Sequence, residues 1–172
     1  MIRAINECFF AYIWALEHCH LLGSTAQRVV IAGDSAGGNL TYAVALRCLL
    51  EGARVPDAIF GFYSVFNVDL MLSASRLQAA YDCLLSQGVL ETCLVAYTGT
   101  DMSDSLRQNP LLSPLNAADS LLKRLPPCYL VGLAKDPLLD DTLAMAVRLQ
   151  GELAATVFKI SLLRCAVIIA CT

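Results

Sequence analysis

The sequence predicts an α/β domain built on a mostly parallel sheet with helices on both faces, and three observations carry that prediction. Two short apolar runs, 28–32 and 58–66, bracket a helical stretch, which is the pattern of a strand, a crossover helix and a parallel strand. A third run, 128–133, is followed by a further helical stretch, 138–149. Nothing rich in Pro, Gly, Ser or charge divides the 172 residues, so one core, or part of one, is expected.

Taken in order, Ile5, Phe9, Ile13, Leu16 and His20 recur at helical spacing over residues 2–22, and Gly23 stands where that helix should stop. Arg28 to Ala32 is a β-branched run of the kind a buried parallel strand needs. Gly33 to Gly38 turns sharply, and 39–50 is helical. After a turn at 52–57, residues 58–66 read as the second strand. Residues 76–98 are mostly helical in pattern, and 99–118, with Gly, Asp, Ser, Asn and Pro, read as loop.

Composition narrows the function classes. Apolar residues make up 57% and charged residues 16%, which suits strands covered on both faces and equally suits a domain whose covering elements are missing. The net charge of −3, without a basic run, argues against nucleic acid and against anionic lipid as partners. Eight scattered cysteines include no CxxC pair or Cys/His cluster of metal-ligand spacing, so no metal is expected and a reducing cytoplasm is the expected setting. The apolar stretch 160–170 carries Arg164 and is too short for the ~20 residues of a membrane-spanning helix.

One motif carries chemistry. Gly33-Asp34-Ser35-Ala36-Gly37 has the form Gly-x-Ser-x-Gly, with an apolar strand before it and a helix after it. The expectation is a strained turn that lifts Ser35 Oγ clear of the sheet as a nucleophile. Gly33 and Gly37 are glycines because a Cβ has no room, and Ala36 N–H is one oxyanion donor at a helix N-terminus. A serine nucleophile needs a base and a carboxylate to orient it, in the chain order Ser, Asp or Glu, then His. Asp136 follows the third strand at the sheet's C-terminal edge and is a candidate. Read from its position alone, it serves equally well as the cap of the helix that starts near Pro137.

At these residues the sequence resembles the hormone-sensitive lipase family of α/β-hydrolases. Ala32 to Leu40 reproduces the elbow Gly-Asp-Ser-Ala-Gly-Gly-Asn, and Asp136 to Asp141 the acidic motif Asp-Pro-Leu followed by an acidic pair. Trp14-Ala15-Leu16, Arg54-Val55-Pro56-Asp57 and Asn109 to Pro114 extend the likeness over about 7–149. The resemblance implies an α/β-hydrolase fold, Ser35 as nucleophile, Asp136 as the acid of the triad, Asp34 as a support of the elbow, and no cofactor. It also implies a lipid ester as substrate and the cytoplasm, with the lipid-droplet surface, as location.

Two family parts have no counterpart in the sequence. No His-Gly-Gly-Gly loop occurs, and no His follows Asp136. The only histidines, His18 and His20, precede the elbow, in the wrong chain order for a base. Residues 157–162 could form the family's next strand, whereas 163–172 match nothing in it and read as an atypical tail. The whole, 1–172, therefore reads as a partial catalytic domain, incomplete at its N-terminus and at its C-terminus, and inactive alone. The long regulatory insertion of animal hormone-sensitive lipases has no room between Ala74 and Gln108. Two alternatives accompany the hydrolase reading. One is a non-catalytic ligand-binding relative, as in the plant gibberellin receptors, which keep the serine and aspartate and lack the histidine. The other is an inert truncated or alternatively spliced form.

Overall fold

In a computed structural model, which describes residues 2–82, 84–99, 104–152 and 167–169, the chain forms a four-stranded sheet in the order β1-β2-β3-β4. The strands are β1 (Val30–Asp34), β2 (Ala58–Phe62), β3 (Cys128–Gly132) and β4 (Val167–Ile169). The first three run parallel, with Ile31 beside Ile59 and Ile59 beside Cys128, and β4 pairs antiparallel with β3. The strand considered over 157–162 lies outside the described residues.

Helix α1 (Ile2–Glu17) and a 3₁₀ turn, Cys19–Leu22, end at Gly23, whose φ of 67° explains the glycine. Helix α2 (Ala36–Glu51) begins inside the Gly-rich motif and not after it. Its small and apolar residues bury Tyr42, Ala45, Leu46 and Leu49 against Ile59, Leu130 and the buried face of α7 (Leu139–Glu152), forming the main core. Helix α1 packs over α2 through Ile5 and Tyr12. The described helices cover the sheet face that carries Ile31, Ile59 and Leu130. On the other face, Phe60 and Tyr129 stack with centroids 4.3 Å apart and remain half-buried. Helices on that second face, which the sequence leads one to expect, are not among the described elements.

Three expectations change in detail. The second strand stops at Phe62, four residues short, because Tyr63 takes a φ of 38° and turns the chain out of the sheet. The region 76–98 is mostly helical, in pieces: α3 (Ala74–Gln78), a 3₁₀ turn, Ala79–Tyr81, and α4 (Gln87–Thr98). The supposed loop 99–118 contains two short helical turns, α5 (Asp104–Arg107) and a 3₁₀ turn, Pro114–Asn116; α6 (Asp119–Leu122) follows it.

The quoted family stretches turn out to be staples. Arg54 donates to the carbonyls of Ala26 and Gln27 and pairs with Asp57, whose carboxylate accepts Val29 N–H at 2.7 Å, so the starts of β1 and β2 are tied together. The backbone N–H of Val29 holds the Asp57 carboxyl below its ordinary value. From 109–116, Ser113 Oγ accepts Val68 N–H and Leu115 N–H donates to Phe66 O, which anchors the chain leaving β2.

The acidic pair after Asp136 does similar work. Asp140 accepts Ser75 N–H at 2.8 Å at the start of α3. Asp141 accepts Asn67 N–H and pairs with Arg76 at 3.4 Å, both side chains being buried, while Arg76 also donates to the carbonyls of Asn67, Asp69 and Met71. Burial pushes the Asp141 carboxyl up to about 6, with Arg76 and the Asn67 N–H acting against it.

A raised carboxyl binds its proton more tightly in the folded chain than in the unfolded one. Its contribution to stability is therefore complete below about pH 4 and is lost as the pH rises through about 6. Asp141→Asn should flatten the stability–pH curve in that window, measured by thermal melts. Arg76→Ala should cost about 3–5 kcal/mol at pH 7, where it strands a buried carboxylate, and clearly less at pH 5. Equal costs at the two pH values would show that Asp141 stays ionised throughout.

Candidate active site

Ser35 stands between β1 and α2 with φ 50° and ψ −119°, a conformation that only a few non-glycine residues adopt and that costs of order 1–3 kcal/mol. Its neighbours hold it there. Ser35 N–H donates to Phe62 O at 2.9 Å, extending the sheet by one rung, and Ser35 O accepts from Asn39 N–H and Val65 N–H. Its own side chain makes no capping bond to α2, so Oγ is not tied to the helix it precedes. The half-exposed Ser35 and the exposed Ala36 sit at the N-terminus of a sixteen-residue helix, whose first-turn N–H groups favour negative charge.

The glycines divide differently from expectation. A Cβ on Gly33 would meet Gly37 O at 2.3 Å and Thr41 Oγ1 at 2.6 Å, so Gly33 is required by space. At Gly37 a Cβ would meet only Asp34 Oδ1, at 3.8 Å, which is ordinary contact. The second crowded position is Gly38, where a Cβ would fall 2.0 Å from Ser64 Oγ. That Ser64 hydroxyl is fully buried and has no hydrogen-bond partner among the described residues. Asp34 is exposed and its carboxylate makes no hydrogen bond among the described residues, while its backbone pairs in β1 beside Phe62.

Asn39, quoted in the motif without a role, is the buried centre of the site's underside. Its Nδ2 donates to Val65 O and Leu112 O, both at 2.8 Å, and its Oδ1 accepts from Tyr97 hydroxyl at 3.3 Å. Three segments converge on one amide. Sequence reading missed this because the partners lie 26, 58 and 73 residues away.

Ser35 opens onto a cavity of about 370 Å³, lined by Ala36, Leu40, Val65, Leu90, Leu94 and Tyr97, among others. The lining is almost wholly apolar, as a site for an acyl group needs. Asp136 lies at the same edge of the sheet, since it follows β3 as Ser35 follows β1 and the two strands run in one direction. It lines a second cavity of about 330 Å³ with Asp82, Leu133 and Lys135. Leu85 borders both cavities. The carboxylate accepts Leu138 N–H at 2.8 Å through Oδ1, which closes the turn just before α7 and not the first turn of the helix itself. Its Oδ2 has no hydrogen bond among the described residues. Burial pushes its carboxyl upward, against the Leu138 N–H. The turn engages one carboxylate oxygen and leaves the other without a partner among the described residues.

The histidines are elsewhere. His18 stacks on Trp14 at 4.8 Å and its Nδ1 lies 3.0 Å from Trp14 O, beyond the C-terminal end of α1. Ala4, near the other end of that helix, borders the Ser35 cavity. Fourteen residues of rise separate the two, about 21 Å. Among the described residues no group of three or more His, Cys, Asp or Glu could hold a metal ion, and no helix is long and apolar enough to cross a membrane.

Residues 2–160 match the family model described as alpha/beta hydrolase fold. Over 102 residues the chain is 52% identical to hormone-sensitive lipase of Mus musculus, covering 59% of this chain and 13% of the lipase. It is 33% identical over 140 residues to a carboxylesterase of Mycobacterium tuberculosis, covering 80% of this chain and 42% of that protein. The crystal structure of a thermostable esterase from Pseudomonas putida superposes with a TM-score of 0.80 at 31% identity, covering 87% of this chain and 46% of the esterase. The chain thus spans less than half the length of each.

The unequal glycines make a direct test. Gly33→Ala should lower stability by about 3 kcal/mol or more, since its Cβ would collide with backbone that cannot retreat without moving the elbow. Gly37→Ala should leave stability unchanged or raise it by up to about 1 kcal/mol, the ordinary gain of alanine over glycine in a helix. Denaturant melts of the two variants read the difference.

Proposed function

The chain belongs to the α/β-hydrolase fold family, and on that premise we propose that it carries the nucleophile, Ser35, and the acid, Asp136, of a carboxylic ester hydrolase acting on lipid esters such as acylglycerols or cholesteryl esters. The observation that carries the reading is the positive φ of Ser35 at the mouth of an apolar cavity. The relatives named lipase and carboxylesterase supply the substrate class.

In this reading Ser35 Oγ attacks the ester carbonyl carbon while its proton passes to a base. The Ala36 N–H and the α2 N-terminus stabilise the charge that develops on the carbonyl oxygen. The alcohol leaves with the proton, an acyl-enzyme remains, and water releases the fatty acid. The acyl chain occupies the Leu40–Val65–Leu94 cavity. An imidazole joining Ser35 to Asp136 would lie against Leu85, the wall common to the two cavities. No metal or organic cofactor enters the steps. The cytoplasm, and within it the surface of stored lipid, is the setting this chemistry implies.

The base is the part this sequence does not supply. His18 and His20 are the only histidines, and they stand at the far end of α1. Loss of one triad member typically costs several orders of magnitude in rate. The 172-residue chain should therefore hydrolyse p-nitrophenyl acetate barely above buffer. Free imidazole in the assay should restore turnover that Ser35→Ala abolishes. Robust turnover without imidazole would show that another residue serves as base. Equal rates for the parent chain and Ser35→Ala with imidazole present would remove Ser35 from the reaction and favour the non-catalytic, ligand-binding alternative, which the remoteness of both histidines supports.

A further inference from the structure

Helix α4 turns one face to the cavity beside Ser35. Leu90, Cys93, Leu94 and Tyr97, at positions i, i+3, i+4 and i+7, all line it. Leu90 and Leu94 are buried in one cluster with Val65 and Leu112. Two polar side chains of the helix bond within it, Gln87 to Glu91 and Thr92 to the Gly88 carbonyl. Tyr97 reaches out of it instead. Half-buried, it gives its ring to the cavity wall, while its hydroxyl donates to Asn39 Oδ1 at 3.3 Å.

That bond decides how the Asn39 amide sits. The amide nitrogen donates to Val65 O and Leu112 O, both at 2.8 Å, so an amide turned over would set its oxygen against two carbonyl oxygens. Asn39 is 2% exposed, and without the Tyr97 hydroxyl its oxygen would be a stranded buried acceptor. Val65 is the link onward to the nucleophile. Its carbonyl accepts from Asn39, and its N–H donates to Ser35 O at 3.3 Å. A path of hydrogen bonds thus runs from the wall of the cavity, through Asn39 and Val65, to the backbone of the strained serine. Burial pushes the Tyr97 phenol up to about 12, so the hydroxyl keeps its proton and stays a donor at neutral pH.

We propose that Tyr97 is a positioning and specificity-determining residue, which couples occupancy of the cavity by an acyl chain to the hold on the Ser35 turn. An acyl chain packed against α4 presses the Tyr97 hydroxyl onto Asn39, and Val65 grips Ser35 O more firmly. The proposal rests on the hydrolase reading in taking the cavity's occupant to be the acyl part of an ester. The coupling itself requires no catalysis. Two parts of one side chain then have separable effects: the hydroxyl acts on the turnover of every ester, and the ring on the affinity for a long acyl chain.

The first test is imidazole-dependent hydrolysis of p-nitrophenyl acetate and p-nitrophenyl octanoate by the 172-residue chain. Tyr97→Phe, which keeps the ring, should lower kcat about tenfold on both esters and leave both KM values unchanged. Tyr97→Ala should in addition raise KM for the octanoate about fivefold or more, and leave KM for the acetate unchanged. The second test is amide hydrogen exchange followed by NMR, with sodium octanoate as the occupant. Octanoate should slow exchange at Val65 N–H about threefold or more in the parent and leave it unchanged in Tyr97→Phe. Exchange at Met145 N–H, in α7 and outside the cavity lining, should not respond in either. The proposal is overturned if Tyr97→Phe turns over both esters like the parent, or if its loss is confined to the octanoate ester. It is also overturned if Tyr97→Phe speeds exchange at Met145 as much as at Val65, which marks a merely structural role. An unchanged Val65 amide in the parent with octanoate overturns the coupling even where Ser35-dependent turnover is found, and leaves the hydrolase reading standing. The converse result, an octanoate response at Val65 that needs the Tyr97 hydroxyl without any Ser35-dependent turnover, keeps the coupling and removes the assigned chemistry.

Discussion

The geometry at Ser35 is the constraint on which the surrounding structure depends. A non-glycine residue at φ 50° is kept only where neighbours over-determine it. Here the backbone of Ser35 is gripped on both sides, by Phe62 O on its N–H and by Asn39 and Val65 on its carbonyl. That grip requires β2 to lie against β1 and then to leave the sheet at Tyr63, so that Val65 can turn back. It also requires α2 to start at once, which brings Gly37 O so close to Gly33 that no side chain fits there. The short strand, the early helix and the bare glycine are consequences of one turn.

The parts of this arrangement that sequence reading reaches are those whose cause is local. The strand–turn–helix around Ser35 shows in the pattern because neighbouring residues produce it, as does the stop at Gly23. The end of β2 does not show. Tyr63-Ser64-Val65-Phe66 reads as continuing apolar strand, and only the demand of Ser35, nearly thirty residues earlier, bends it away. The same holds for Gly38, whose lack of side chain answers to Ser64 across the fold and not to its own turn. Asp136 could be read two ways from its position, and its Oδ1 closes the turn before α7 while Oδ2 has no hydrogen bond among the described residues.

Within the acidic motif the three carboxylates have separate tasks. Asp136 faces the cleft, Asp140 caps the start of α3, and Asp141 holds Arg76 and through it three carbonyls of the chain leaving β2. One short stretch thereby anchors both the acid and the wall beside it. Two adjacent carboxyls move in opposite directions, Asp140 down through the N–H of Ser75 and Asp141 up through burial. Spacing alone cannot distinguish them, because the partners arrive from 65 residues away.

The order of the strands also says something about how the chain reaches this state. Val30 pairs with Ala58, 28 residues on, whereas Ile59 pairs with Cys128, 69 residues on. Closing the longer connection costs about 0.8 kcal/mol more in chain entropy, by the logarithm of the length ratio. The β1–α2–β2 unit can therefore close on local contacts before β3 docks beside it. The serine's turn is complete within that early unit, and the carboxylate is delivered last, by the strand with the farthest to travel.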